Sequence, residues 1–242
     1  MKLLILALFT VSQAFYSTEW TNKPLGLANL SAVQYDNWPS GEDAISWNLR
    51  LNESLERDAF KSNLVLKLES GYGMAKMGDQ GFRKSIDDLF AEAVYFRKMT
   101  DYLNPYADIK LKTQLMDFME PGFLSQGLGL GTQHFKPLII RAGFSLKETF
   151  LDDLEKIEPG AELSADFNGN IVKNLSINTV FNTFTNFKGR KEIDFRLENL
   201  LIIQILKYLN ANIEWDIVYD RDISATRQTK QILSIGVNYS FE

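Results

Sequence analysis

Lys110 and Lys112, two residues apart, and Glu214 and Asp216, likewise two apart, have the clearest capacity for chemistry in this chain. A spacing of two places both members on one face of a strand. Arg141 and Lys147 extend the cationic set, and Glu162, Asp166 and Glu198 the anionic one. If the strands close into a ring with these faces inward, Lys110 and Lys112 on a fifth strand oppose Glu214 and Asp216 on an eleventh. A transverse field then crosses a narrow wet constriction, orienting polar solutes and disfavouring apolar ones. The same charges also allow a second arrangement. With Arg50, Lys67, Glu69, Glu92, Asp108 and Arg196 they can pair through the interior and close it.

Covalent chemistry finds little support. The 242 residues include one histidine and no cysteine, which excludes a disulfide scaffold, a thiolate metal site and a cysteine nucleophile. A serine–histidine pair is open only through His134 and Ser125. His134 falls in a tight turn beside Phe135 and Pro137, with no carboxylate close in sequence, so it reads as an exposed turn residue. A lipid hydrolase or acyltransferase is the distant alternative. Asp152, Asp153, Glu155 and Glu158 lack the glycine and ligand spacing of a calcium loop and read as a solvated run. No phosphate loop or dinucleotide fingerprint is present, and no cofactor or metal is expected.

The elements that must carry these residues are amphipathic strands. From Leu209 to Tyr219, apolar residues (Leu209, Ile213, Trp215, Ile217) alternate with polar ones (Asn210, Asn212, Glu214, Asp216). Gln231 to Phe241 repeats the pattern. Twelve such strands are expected, near 29–35, 44–55, 60–73, 88–97, 105–116, 123–133, 138–149, 160–167, 174–186, 192–205, 209–219 and 229–241. The pattern is weakest in Phe90–Phe96 and Val180–Phe184, where both faces carry apolar residues. Glu56–Ala59, His134–Pro137 and Leu206–Tyr208 are expected as tight turns; Met74–Asp87, Phe150–Pro159 and Asp220–Gln228 as long loops on the opposite side. That alternation of turn length suits an all-β, antiparallel, up-and-down transmembrane barrel with both termini on the short-turn side. A soluble sandwich shares the one-dimensional pattern. Tyrosines near strand ends, at 72, 95, 106, 208, 219 and 239, favour the membrane because they suit interfacial girdles.

The amino terminus points the same way. Lys2, the apolar run Leu3–Val11 and the small-residue pattern Ser12-Gln13-Ala14 read as an export signal cut after Ala14, leaving 15–242 as one barrel domain. Removing Lys2 moves the formal charge from −5 to −6, and nothing suggests a nucleic-acid partner. No later run is apolar over a full helical span. The mean hydropathy of −0.16 is compatible with a barrel, whose outward apolar and inward polar residues average out.

Two stretches stand apart from the alternation. One is Asn37-Trp38-Pro39-Ser40-Gly41-Glu42-Asp43; the other is Gly78-Asp79-Gln80-Gly81-Phe82-Arg83-Lys84-Ser85-Ile86-Asp87. Trp38 suits an interfacial anchor, and Gly78 and Gly81 bracket Asp79 in an outer loop where positive φ is useful. Arg83, Lys84, Asp87 and Asp88 can pair across that loop and stiffen it. With Gly71-Tyr72-Gly73, these stretches make the chain resemble, from about Asn29 to its end, a family of Gram-negative outer-membrane barrels known as a domain of unknown function. It departs at Glu42, where the family usually has a second glycine. The resemblance implies an exported barrel and no assigned activity. The expectation is an outer-membrane barrel acting as a narrow passive channel for small polar solutes, or as a closed barrel working through its outer loops. Its expected partners are outer-membrane lipid, the barrel assembly machinery and a small polar solute.

Overall fold

Alternating sequences of this kind have unpaired edges unless the sheet closes, and this sheet closes. The computed structural model describes residues 20–22, 24–33, 44–135, 137–151, 154–187, 193–220 and 226–240. The export signal, Trp38, Gly41, Lys136, Asp152 and Asp153 lie outside the described residues. The strands are β1 (Trp20–Asn22), β2 (Leu25–Val33), β3 (Ala44–Ala59), β4 (Ser62–Met77), β5 (Arg83–Arg97) and β6 (Asn104–Thr113). They continue as β7 (Gly122–Thr132), β8 (Leu138–Leu151), β9 (Leu154–Val172), β10 (Leu175–Asn186), β11 (Ile193–Gln204), β12 (Leu209–Tyr219) and β13 (Gln228–Ser240). Consecutive strands from β4 to β13 pair antiparallel, β13 pairs with β2, β2 with β3, and β3 with β4, which completes the ring.

Thirteen strands make twelve staves. β1 and β2 lie along the same edge of β3 in one continuous register, Asn22 opposite Leu55 and Leu25 opposite Asn52. Pro24 interrupts that stave because it has no N–H to give the ladder. The rungs are uneven around the ring. Among the described residues, β3 and β4 share sixteen paired positions, from Ala44↔Met77 to Ala59↔Ser62, whereas β13 and β2 share six, from Ile235↔Leu30 to Ser240↔Leu25.

Two of the expected long loops are mostly strand. β4 runs to Met77 and β5 starts at Arg83, so Met74–Asp87 is a hairpin; β8 runs to Leu151 and β9 starts at Leu154, so Phe150–Pro159 is another. Polar strand ends look like loops in sequence, yet a ladder can continue into water at no desolvation cost. β12 ends at Tyr219 and β13 starts at Gln228, and most of the long loop expected over Asp220–Gln228 lies outside the described residues. β4–β5, β6–β7 and β12–β13 turns mark one rim, called upper here; β3–β4, β5–β6 and β7–β8 turns mark the lower rim.

Register settles the two faces. In β6 and β12 the even-numbered residues face inward, as do the odd-numbered residues of β7 and β8. The outward face is apolar across many staves, with Leu128, Phe144 and Leu233 exposed by 63, 64 and 68%. Apolar exposure on this scale calls for a nonaqueous surrounding or a partner. Inside, next to the lower rim, Val94, Phe96 and Tyr106 form a buried cluster with Ile139 packed against it. Tyr106 is therefore not part of an outer girdle: it shares the inward parity of Lys110 and Lys112. The apolar residues of Phe90–Phe96 that blur the alternation are this cluster's inward contribution, and Phe96 and Tyr106 rings lie 5.9 Å apart.

Candidate functional site

An interior about one and a half times as wide as an eight-stranded barrel cannot be filled by ordinary apolar side chains alone. Here it is filled by charge. A cavity of about 250 Å3 is lined by seven cationic and seven carboxylate side chains, Lys110, Lys112, Arg141, Asp166, Glu198 and Glu214 among them. A second cavity of about 150 Å3 opens toward the upper rim, between Phe123, Lys147, Phe184 and Asp194. Both are lined by Phe90, Lys110, Lys112, Asn182 and Arg196, so the cavities meet there.

Arg141 anchors the first cavity. It is 2% exposed at its side chain, and its Nη2 lies 2.8 Å from Glu92 and 3.0 Å from Asp166, while Nη1 lies 3.1 Å from Asp108. One guanidinium thus gathers carboxylates from β5, β6 and β9, which suits its planar fork of donors. The inward face of β7 makes room for it. That face is Gly127, Gly129 and Gly131; a Cβ at Gly131 would sit 3.0 Å from Arg141 Cγ, and one at Gly127 would run into the Asp108 carboxylate. The sequence Gly127-Leu-Gly-Leu-Gly131 reads accordingly, with leucine outward and nothing inward.

Lysines make the longest crossings. Lys67 on β4 reaches Asp166 on β9 at 3.4 Å, and Lys112 on β6 reaches Glu198 on β11 at 3.4 Å. Each pair stands five staves apart in a ring of twelve, nearly a full diameter. The arginine pairs span less: Arg50 on β3 holds Glu214 on β12 with contacts of 2.7 and 2.8 Å, three staves away.

The expected opposition of Lys110 and Lys112 to Glu214 and Asp216 does not form. Lys110 pairs with Glu162 and lies 3.4 Å from Asp108, and Lys112 meets Glu198. Glu214 belongs to Arg50 and Lys230, and Asp216 lies 2.9 Å from Lys230, its directly paired neighbour on β13. Counting strands around a ring ignores tilt and stagger, which decide the residues that share a level. Neighbouring strands also offer a partner without crossing the lumen. Lys147 is drawn to Asp194 at 2.6 Å and Asp220 at 3.0 Å. Asp88, Asp220 and Lys230 escaped the sequence reading. Asp88 opens the strand expected near 88–97 but is grouped there with the outer-loop charges, although Asp88-Leu-Phe90-Ala-Glu92 continues the inward alternation; Asp220 falls in an expected loop, and Lys230 shares parity with the inward Ser234.

At the upper rim, Lys84 lies 2.7 Å from Asp87 and 2.6 Å from Asp117. The other oxygen of Asp87 accepts hydrogen bonds from the backbone N–H groups of Leu115 and Met116, at 2.8 and 3.1 Å. Asp87 thus ties the β6–β7 loop to β5. Asp88 instead faces the lumen, so it does not join this network. Gly78 adopts a positive φ of 53°, while Gly81 does not and has open space around it. Asp79 and Arg83 are exposed.

The candidate catalytic pair is not assembled. Ser125 Oγ faces Ser145 Oγ at 2.8 Å inside the barrel, whereas His134 lies at the lower rim against the rings of Tyr102 and Phe135, at 4.5 and 4.9 Å. Glu158, expected in a solvated run, is buried, accepting from Asn186 and lying 2.9 Å from Lys156. It sits on β9, facing inward beside Lys147.

Residues 30–118 match a family described as "Protein of unknown function (DUF3078)". The matched segment includes both unusual stretches and ends just before the C-terminal half, over which the resemblance is expected to continue. No curated protein matches the chain. Among solved structures, the translocator domain of autotransporter NalP from Neisseria meningitidis is 10% identical with a TM-score of 0.42, covering 99% of this chain and 95% of that one. An outer membrane channel from Pseudomonas putida F1 is 9% identical with a TM-score of 0.44, covering 91% and 95%. The NanC porin is 11% identical with a TM-score of 0.45, covering 90% and 99%. The fold assignment rests on the strand register given above.

Proposed function

We propose that this chain is an outer-membrane β-barrel that acts as a narrow passive channel for water, ions and small polar solutes. An apolar outward face around a charged interior suits a barrel that crosses a bilayer with a wet lumen. The observation that carries the channel reading is the balanced set of seven cations and seven carboxylates around a cavity that meets an upper vestibule. So many ionised groups are costly to bury dry, and water lowers that cost. The side chains that cross the lumen are lysines, each reaching the far wall through one ammonium contact at 3.4 Å, whereas the shorter arginine pairs stay toward one side. Both lysines are only partly buried and their long stems can change rotamer, so these crossbars can yield to a passing ion.

The test is single-channel conductance of the purified protein in a planar bilayer, with Lys67→Gln/Lys112→Gln alongside. Small ohmic steps in the native protein and larger ones in the variant are expected. Silence from both, with each still showing heat-modifiable gel migration, defeats the channel. A second reading then stands: the wall-to-wall pairs and the buried Val94–Phe96–Tyr106 cluster favour a closed barrel acting through its upper loops.

A further inference from the structure

Lys112 and Arg196 stand where the two cavities meet, and they share one carboxylate. Glu198 Oε1 lies 3.4 Å from Lys112 Nζ and 3.6 Å from Arg196 Nη1. Arg141 has three carboxylates in contact and Lys147 two. The junction therefore places two cations in direct contact with a single carboxylate. It is also accessible: the Lys112 and Glu198 side chains are 33 and 36% exposed.

The surroundings of these two cations are aromatic. Phe90 lines both cavities, and Phe123 and Phe184 line the vestibule. The Lys147 ammonium lies 5.7 and 5.9 Å from the Phe123 and Phe184 ring centroids, turned toward its own two carboxylates. Asn182 adds an amide at the junction. Two cations at the inner end and phenyl walls toward the mouth complement a small molecule with a negative head and an apolar body.

The geometry points to a binding site for small organic carboxylates bearing a ring or short apolar chain, with the carboxylate on Lys112 and Arg196 and the body between Phe90, Phe123 and Phe184. A monocarboxylate suits two cations that have one carboxylate between them, and guanidinium presents it paired donors. The vestibule of about 150 Å3, joined to the larger cavity, suits a single-ring ligand, below the ~300–1,000 Å3 common for drug-sized ones. This inference deepens the channel reading by naming a solute class, and it requires the vestibule to be wet.

The experiment is calorimetric titration of benzoate into the purified, detergent-solubilised full-length protein, against benzyl alcohol and benzylammonium as neutral and cationic matches. Saturable benzoate binding is expected, weakening with added salt and at least tenfold tighter than either match. Lys112→Gln/Arg196→Gln should weaken it at least tenfold, whereas Arg196→Lys should retain most of it. Heat-modifiable migration and far-ultraviolet circular dichroism establish that each variant is folded. Benzoate binding no tighter than benzyl alcohol in the native protein overturns the inference, as does unchanged binding in the folded double variant. Should the double variant not fold, the salt dependence and the native comparison decide. Bilayer recordings on the same preparation separate the two readings: binding without conductance keeps the carboxylate site and defeats the channel, whereas conductance without binding does the reverse.

Discussion

Lys112 on β6 and Glu198 on β11 approach to 3.4 Å from staves five positions apart, whereas all three carboxylates around Arg141 lie within three staves of it. The first contact is partly exposed and made by a flexible ammonium; the second set surrounds a buried guanidinium. Their disruption therefore has different consequences.

Lys112→Glu places a carboxylate against Glu198 in a partly wet lumen. Because water solvates the new charge, the urea midpoint should change little, while the reversal potential under a salt gradient should shift toward cation selectivity. A large fall in midpoint with no shift in reversal potential counts against a hydrated constriction.

Arg141→Met leaves Glu92, Asp108 and Asp166 together without their central cation. Removing one partner from a buried charged group costs about 3–5 kcal/mol. Urea unfolding in detergent micelles should show a midpoint lowered accordingly, and Arg141→Lys should recover only part of the loss, since an ammonium lacks the planar fork. A midpoint within experimental error of the native one refutes the anchoring role.

Asp87→Ala removes the acceptor for two backbone donors in the β6–β7 loop and costs about 0.5–1.5 kcal/mol per lost hydrogen bond, because exposed Met116 can turn its N–H to water. Since that loop lies at the rim, the change should be local. Hydrogen exchange at Leu115 and Met116 should quicken while β8 and β9 amides stay protected; uniform deprotection would show a global role instead.

Sidedness follows from the rims. The chain has no cysteine, so Gln80→Cys at the β4–β5 turn and Phe60→Cys at the β3–β4 turn give labelling without background. With the upper rim outside the cell, an impermeant thiol reagent should label intact cells only at position 80. Labelling at 60 alone inverts the proposed topology. In the same cells the mature protein should begin at Phe15 and fractionate with the outer membrane; N-terminal sequencing that finds Met1 retained would sink the export proposal.

Alternation made the inward parity of Lys110, Lys112, Glu214 and Asp216 legible, because a period of two assigns a face whatever the fold. The same rule held for Tyr106, which composition alone had placed in a girdle. Twelve staves were legible too, with β1 and β2 counting as one. The pairing of charges was not: tilt and stagger bring Lys112 to Glu198, and neither is written in a single strand. Strand ends were also hidden, since polar residues such as those of 154–158 look alike in a loop and in a ladder above the bilayer.

Among the described residues, six rungs join β13 to β2 against sixteen between β3 and β4, which gives the ring a preferred breaking point. Cooperative opening of a closed hydrogen-bonded loop starts where fewest bonds must break together, so breathing of this cylinder should concentrate at that join. The amides of Leu25–Leu30 would then trade their protons earliest. Any entry of the chain into a growing sheet, or exit from it sideways into lipid, would use the same line.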